Sequence, residues 1–361
     1  ELQQDGMFLE MIQKKDYGVS FQRFLKTTNP MGKDFIIGIA INAHPQVEVS
    51  LSIDAIAEII TWHDERGLVD YVTCGSGSYL DYSPLMPTFL YPEKLTAEYT
   101  EVLKGVVSYA KVQSESHIRT PENANTIIGA GQADMVSIVR GQIADPHMAT
   151  KALQDHPEEI RPCISCNQMC WGRRSRDYWI SCLVNPSSGR EFEWGGDRFE
   201  PTTCPQKVLV VGGGPGGLEV ARVAAERGHR VTVVEASQQL GGQFRLAGMQ
   251  PRRGQILDLI EWYERQLISR QVNVKLNTPV DSDEIADYAA DIVVLATGSL
   301  PSGTGFQRFL PGVEKLPGIE SGRVWSVEDV MSRAARCGET VMLVDDGGNW
   351  RGGGTAWYLA E

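Results

Sequence analysis

A strand-length apolar run that ends directly on a series of glycines can fold in few ways. Such a run lies at Val208–Val211, followed at once by Gly212-x-Gly214-x-x-Gly217. A stretch with apolar residues at helical spacing follows, then a second run, Val231–Val234, that ends on Glu235. Strand, glycine turn, helix and strand make a dinucleotide-binding βαβ unit. Gly212 permits the tight turn, Gly214 lets backbone approach a pyrophosphate, and Gly217 lets the helix pack closely on the strand. The helix N-terminus attracts the phosphate charge. Glu235, 23 residues after Gly212, can accept hydrogen bonds from an adenosine ribose and disfavours a 2′-phosphate. Leu240-Gly241-Gly242-Gln243 and Ala296-Thr297-Gly298 also let backbone approach a nucleotide. The latter closes an expected buried strand, Ala290–Ser299. These additions favour FAD or another adenine nucleotide over free NAD.

Upstream, strand-like and helix-like segments alternate. The expected strands are Asp34–Asn42, Val69–Cys74, Tyr109–Ser114 and Ala133–Val139. The expected helices are Ile53–Gly67, Leu95–Val107, Pro121–Ala130 and His147–Asp155. Ile53–Gly67 places Asp54 and Glu58 opposite its apolar stripe. A Gly/Ser/Pro-rich loop, Gly75–Pro92, follows the second strand. Repeated βα units imply a parallel sheet with function at its C-terminal strand ends. With Asp5–Glu10 as one earlier strand, four or five units are counted, about half of a closed barrel of eight.

Between these regions the alternation breaks. Cys163, Cys166, Cys170 and Cys182 form C-x2-C-x3-C-x11-C, followed by a polar, Gly/Trp-rich linker. Four thiolates converging from one tight loop and one later arm suit a [4Fe–4S] cluster. Tetrahedral zinc, which favours paired C-x2–4-C knuckles, and buried free thiols are the alternatives. Disulfides are disfavoured by the clustering and by the missing secretory pattern. Arg173, Arg174 and Arg176 follow the third cysteine. They are either cations that ease reduction of an anionic cluster or a solvated basic loop.

Near the C-terminal end a third unit is expected, with Val341–Val344 as strand. Asp345 and Asp346 then stand where a pyrophosphate would approach, and carboxylates repel phosphate. The Gly352–Gly354 run offers a nucleotide a second register.

Acidic residues outnumber basic ones, 46 to 34, for a net charge of −12. That excludes a general nucleic-acid binder. No run of 18 apolar residues suggests a membrane span, and a cytoplasmic homo-oligomer is expected. The chain starts at Glu1 and stops within a helical pattern, so it is read as an internal piece of a longer polypeptide.

The cysteine spacing, the βα run before it and the nucleotide motif after it resemble the multidomain old yellow enzyme-like iron–sulfur flavoproteins. That group includes 2,4-dienoyl-CoA reductase, the trimethylamine, dimethylamine and histamine dehydrogenases and N-demethylases. The most specific stretches are Ile160–Cys170, Cys182–Pro186 and Ala133–Pro146. The resemblance implies an α/β chain in four parts. Residues 1–160 would be the C-terminal part of a (β/α)8 TIM barrel for FMN and substrate. Residues 161–206 would be an irregular [4Fe–4S] insert and linker. Residues 207–335 would be a Rossmann-like FAD- or ADP-binding domain, and 336–361 the start of a second nucleotide-binding domain.

By the same resemblance Arg140 would contact the FMN phosphate. Gly212, Gly214, Gly217, Glu235 and Gly242, with Gln243, Thr297 and Gly298, would hold FAD or ADP. Cys163, Cys166, Cys170 and Cys182 would hold the cluster. The chain departs from the group in three places. Ala40 stands where the group has an arginine near the flavin, and Ser116-His117 stands for Gly-Arg, leaving His117 as the phosphate donor. Asp16–Ser20 is a shortened form of a DxYGGS motif. The implied activity is oxidation of an N-methylated amine, with electrons passing from FMN to the cluster and on to an external acceptor such as an electron-transferring flavoprotein. Tyr79 and Tyr82 would contribute to an aromatic pocket for the methylated cation. The alternatives are an NAD(P)H-dependent enoate or dienoyl-CoA reductase and a catalytically inactive truncated homologue.

Overall fold

The computed structural model describes residues 36–46 and 50–361. The expected strand at Asp5–Glu10 and the motif at Asp16–Ser20 lie outside the described residues. The chain divides into two compact units that interleave in sequence. Unit 1 runs to Ile143 and takes back Ser165–Ile180; unit 2 holds Ala144–Ile164 and Ser181–Glu361.

Unit 1 is a parallel sheet with helical crossovers. Its elements are β1 (Gly38–Ala43), α1 (Ile53–Asp64), β2 (Tyr71–Ser76), α2 (Ala97–Val106), β3 (Lys111–Ser114), α3 (Pro121–Gly129) and β4 (Met135–Val136). The strands pair in sequence order, β1-β2-β3-β4. The α1 helix starts where the Ser52 side chain accepts the Ala55 N–H, and α3 starts where Thr120 accepts the Asn123 N–H ahead of Pro121; such caps satisfy donors that have no partner within the helix. Ile56 and Ile60 of α1, Leu103 of α2 and Ile127 of α3 pack with Val72, Cys74 and Val112 of the sheet in one core.

Two carboxylates shape this unit. Asp64, 5% exposed, accepts the N–H groups of Ser108 (2.7 Å), Tyr109 (3.0 Å) and Ala110 (2.6 Å). It thereby ties the end of α1 to the loop before β3. Burial pushes its pKa up, but the Ala110, Ser108 and Tyr109 hydrogen bonds outweigh that and hold it below the usual carboxylate range. Asp134 accepts the Val112 N–H at 2.8 Å and the Lys104 ammonium at 2.8 Å. The strand expected over Ala133–Val139 forms a ladder only at Met135 and Val136, because an aspartate side chain takes up the preceding β3 donor.

Unit 2 contains β5 (Lys207–Val211), α4 (Pro215–Glu226), β6 (Arg230–Val234), α5 (Gly242–Gly248), α6 (Gln255–Ser269), β7 (Asn273–Lys275), β8 (Ile292–Leu295), α7 (Val327–Met331) and α8 (Trp350–Ala360). Its parallel sheet has the order β7-β6-β5-β8. The order reverses between β5 and β8, the switch point at which open α/β sheets bind ligands. The α6 helix packs against α4 and buries Ile256, Leu259, Ile260, Trp262, Tyr263 and Leu267.

Two expectations are corrected here. Ala290–Ser299 was expected as a buried strand, yet β8 is exposed, Leu295 at 68% and Ile292 at 39%. It is an edge strand, bonded on one side to β5. Val341–Val344 is not a strand. A strand exists only through its ladder, and among the described residues none pairs with this run; Met342 is 88% exposed. The helix expected after it does form, as α8. Among the described residues no helix is long and apolar enough to cross a membrane.

Asp64→Asn would replace an acceptor of three backbone donors with an amide that is itself part donor. Chemical denaturation is expected to show a loss of about 1–3 kcal/mol. Because the folded pKa is depressed, Asp64 contributes its stability above the unfolded value of 3.8 and loses it as pH falls further. The variant should therefore converge on the wild type in strong acid.

Candidate functional site

The glycine turn of unit 2 lies between the ends of β6 and β8. The Gly212 N–H donates to Val234 O at 2.8 Å and the Ala296 N–H to Val211 O at 2.8 Å. The three motif glycines do different work. Gly212 has φ +108°, and a Cβ there would lie 2.3 Å from Ala296 O. A Cβ at Gly217 would lie 2.0 Å from Gly212 O, so α4 packs on the turn without room for one methyl group. Gly214, which precedes Pro215 as the N-cap of α4, has nothing within 4 Å of its Cβ position. Its open side faces the space that a pyrophosphate requires at a helix N-terminus.

Glu235 closes the turn. Its Oε2 accepts the Gly213 N–H at 2.6 Å and its Oε1 the Ser237 N–H at 2.8 Å. Gly241, with φ +107°, donates to Gly213 O at 2.8 Å and brings Gly242 and Gln243 alongside. Gln243 Nε2 donates to the Ser299 carbonyl, one residue beyond Thr297-Gly298. The structure thus brings Gly212, Gly214, Gly217, Glu235, Gly242, Gln243, Thr297 and Gly298 together at the switch point.

Further along, Asp345 Oδ1 accepts the N–H groups of Gly347 (2.9 Å) and Gly348 (3.0 Å). A Cβ at Gly352 would lie 2.4 Å from its Cγ, so the carboxylate rests on the first turn of α8. Asn349 caps that helix by accepting the Arg351 N–H at 2.9 Å. Donors that would hold a phosphate here are already taken by side-chain oxygens.

In unit 1 the residues at the C-terminal strand ends form a second group. Arg140 Nη1 donates to Pro87 O at 2.6 Å and to Asn167 Oδ1 at 2.7 Å, and Asn167 Nδ2 donates to Met86 O at 2.7 Å. His117, 4% exposed, has Nδ1 3.0 Å from Pro92 O and Nε2 2.8 Å from Ser165 Oγ. Burial, with the Arg140 charge second, pushes its pKa down to about 4. It is therefore neutral, donating from Nδ1 and accepting at Nε2. A phosphate could reach it only by displacing one of these partners. Both Ser116 and His117 have left-handed backbone, φ +71° and +57°. Ala40 is exposed on β1.

Two features escaped the sequence reading. His44 is buried at the end of β1. Its Nδ1 accepts the Gln46 N–H, so Nε2 donates to Asp81 at 3.0 Å; a lone histidine after a strand gives no warning of this. Trp171 joins the expected aromatic pair, its ring 5.6 Å from Tyr82, which lies 6.4 Å from Tyr79. Tyr79 is 95% exposed, so the three rings form an open row.

The cysteines at 163, 166, 170 and 182 are all of intermediate exposure. Cys166 and Cys170 belong to unit 1, Cys163 and Cys182 to unit 2. Of the arginines after them, Arg174 and Arg176 are exposed and Arg173 is turned to Trp179 O at 2.6 Å, as in a solvated loop.

Substitutions separate the roles of the glycines. Gly217→Ala is expected to lower the melting temperature strongly, since backbone must move. Gly214→Ala should leave melting nearly unchanged and weaken adenine-nucleotide binding, read by calorimetry. His117 makes a separate prediction. Between pH 6.5 and about 4 the unfolded chain binds a proton that the native one refuses. Stability should therefore fall with pH across that window, by about 3 kcal/mol. His117→Gln should abolish that part of the slope in denaturation curves.

Known proteins can be compared with this geometry. A family model described as pyridine nucleotide-disulphide oxidoreductase matches residues 194–282. The chain is 35% identical over 338 residues to N,N-dimethylglycine/sarcosine dehydrogenase of Chromohalobacter salexigens, 92% of this chain and 47% of that protein. It is 35% identical over 285 residues to cinnamate reductase of Clostridium sporogenes, 79% of this chain and 40% of that protein. The solved structure of 2-naphthoyl-CoA reductase in complex with 2-naphthoyl-CoA superposes with a TM-score of 0.84 at 28% identity, over 94% of this chain and 50% of that one. The chain spans about half the length of the curated relatives it matches. It has their α/β flavoprotein fold, and over the part it shares with them it resembles the old yellow enzyme-like iron–sulfur flavoproteins.

Proposed function

We propose that this chain is the electron-transfer portion, with half of a TIM-barrel substrate domain, of an oxidoreductase that removes hydride from an N-methylated amine. Cys163, Cys166, Cys170 and Cys182 would hold a [4Fe–4S] cluster. Four cysteine thiols at this spacing are the donor set such a cluster takes. The Rossmann-like turn would hold FAD or ADP: Gly214 leaves its cradle open, Glu235 lies beside the turn for the ribose, and Gly242, Gln243, Thr297 and Gly298 line it. Arg140 supplies a cation for the FMN phosphate at the C-terminal strand ends, with His117 fixing the neighbouring loop. The flavin and cluster together would couple a two-electron donor to a one-electron acceptor.

The residues present support the amine reading in two ways. Tyr79, Tyr82 and Trp171 offer π-faces to a methylated cation. The observation that carries the choice of acceptor is the Asp345 turn. Its carboxylate already occupies the Gly347 and Gly348 donors, a position where NAD(P)H would present phosphate of the same charge. An external redox protein, such as an electron-transferring flavoprotein, is then the fitting partner. The likeness to cinnamate reductase and 2-naphthoyl-CoA reductase favours a second reading, an enoate or acyl-CoA reductase fed by NAD(P)H.

Cofactor analysis after anaerobic purification tests the assignment. About four irons and four acid-labile sulfides per chain, with FAD or ADP released on denaturation, are expected. Cys163→Ser should lose the iron and keep the nucleotide. Bleaching of the visible spectrum by dimethylglycine, sarcosine or trimethylamine without NAD(P)H supports the amine reading. Bleaching by NADPH alone would replace it with the reductase.

A further inference from the structure

Arg161 lies two residues before Cys163, on the same unit. It is 1% exposed. Asp145 Oδ2 accepts its main-chain N–H at 2.9 Å, and its guanidinium stacks 4.7 Å from the centre of the Trp262 ring. Charge partners are present but not close: Nη2 is 3.2 Å from Asp197 and 3.5 Å from Glu219. The same carboxylates lie nearer to Arg222, at 2.9 and 2.8 Å, and Arg222 has a third, Glu226, at 2.7 Å. The acids of this group are drawn to Arg222, so Arg161 is the less neutralised cation. Its Nε and Nη1 are buried and have no hydrogen-bond partner within the protein. A buried donor without an acceptor costs about 1–3 kcal/mol, and an apolar residue would avoid it.

From this geometry we infer that Arg161 is a tuning residue for the redox centre held by Cys163, its guanidinium charge stabilising the reduced, more negative state. The inference rests on the cluster assignment above. Cluster potential depends on net charge, hydrogen bonding and solvent exposure, and a buried charge two residues along the chain from a ligand is poorly screened. Glu219 is the counterweight. Burial would push its pKa up, but the Arg222 hydrogen bond and the charges of Arg161 and Arg222 hold it below the usual range, so it stays ionised. Removing the Arg161 charge should lower the potential of the centre; removing the Glu219 charge should raise it.

Anaerobic redox titration followed by electron paramagnetic resonance tests this on the purified protein. In Arg161→Gln the ratio of reduced to oxidised centre at a fixed applied potential should fall by about tenfold, about 59 mV for one electron. In Glu219→Gln it should rise, and Arg161→Lys should stay within a few-fold of wild type. A purely structural role would not move the two glutamine variants in opposite directions. Loaded variants that both stay within twofold of wild type, or move the same way, overturn the inference. If Arg161→Gln does not fold, Glu219→Gln and Arg161→Lys decide it: a rise with a retained lysine potential supports it, and no rise sinks it. Iron and sulfide missing from the wild type would sink the cluster assignment itself, a distinct outcome.

Discussion

The structure of unit 2 depends on one buried group of charges. Arg161, Asp197, Glu219 and Arg222 lie together under Trp262 and Tyr263. Tyr263 Oη donates to Glu219 at 3.0 Å and Trp262 Nε1 to Glu159 O at 2.9 Å. Through these contacts three stretches far apart in sequence meet: the segment before Cys163, the linker at Asp197, and the α4 and α6 helices of the nucleotide fold. Buried ions are not a cheap way to hold a fold together, and apolar residues often do as well. What they add is direction, because each guanidinium accepts only certain carboxylate positions.

That network reaches the glycine turn through α4. Glu219 and Arg222 are on the helix whose first turn opens at Gly214. The start of α4 is the end at which a nucleotide is proposed, and its later turns engage the segment that leads to the first cysteine. A single rigid helix thus links two expected cofactor positions by covalent geometry. The Asp345 turn shows the opposite use of the same chemistry. A glycine loop before a helix binds anions, and here the anion is the protein's own carboxylate.

Much of the fold was legible because its periodicities are strong. The run Val208–Val211, the glycines and Val231–Val234 leave one chain path, and the observed strands lie within a residue or two of it. The α1 and α3 helices start at the expected positions because Ser52, Thr120 and Pro121 are local N-terminal caps. The errors lie where local sequence is silent about neighbours. Val341–Val344 is as strand-like as β5, but a strand needs a partner. The β8 run is as apolar as a core strand, but its burial is set by what packs on it.

Within the candidate site the same division holds. Sequence alone located the Gly212–Gly217 turn and the acid at its end, Glu235, and singled out the four-cysteine segment by its spacing, because such patterns need particular residues at particular separations along one backbone. Tertiary structure alone decided the rest. It placed His117 between Pro92 and Ser165 as a neutral ring, joined Trp171 to Tyr82 across 89 residues, and buried Arg161 among acids more than 30 residues away. Such pairings depend on distances through space, and burial, which sets the strength of every charge in them, is a property of the packed chain.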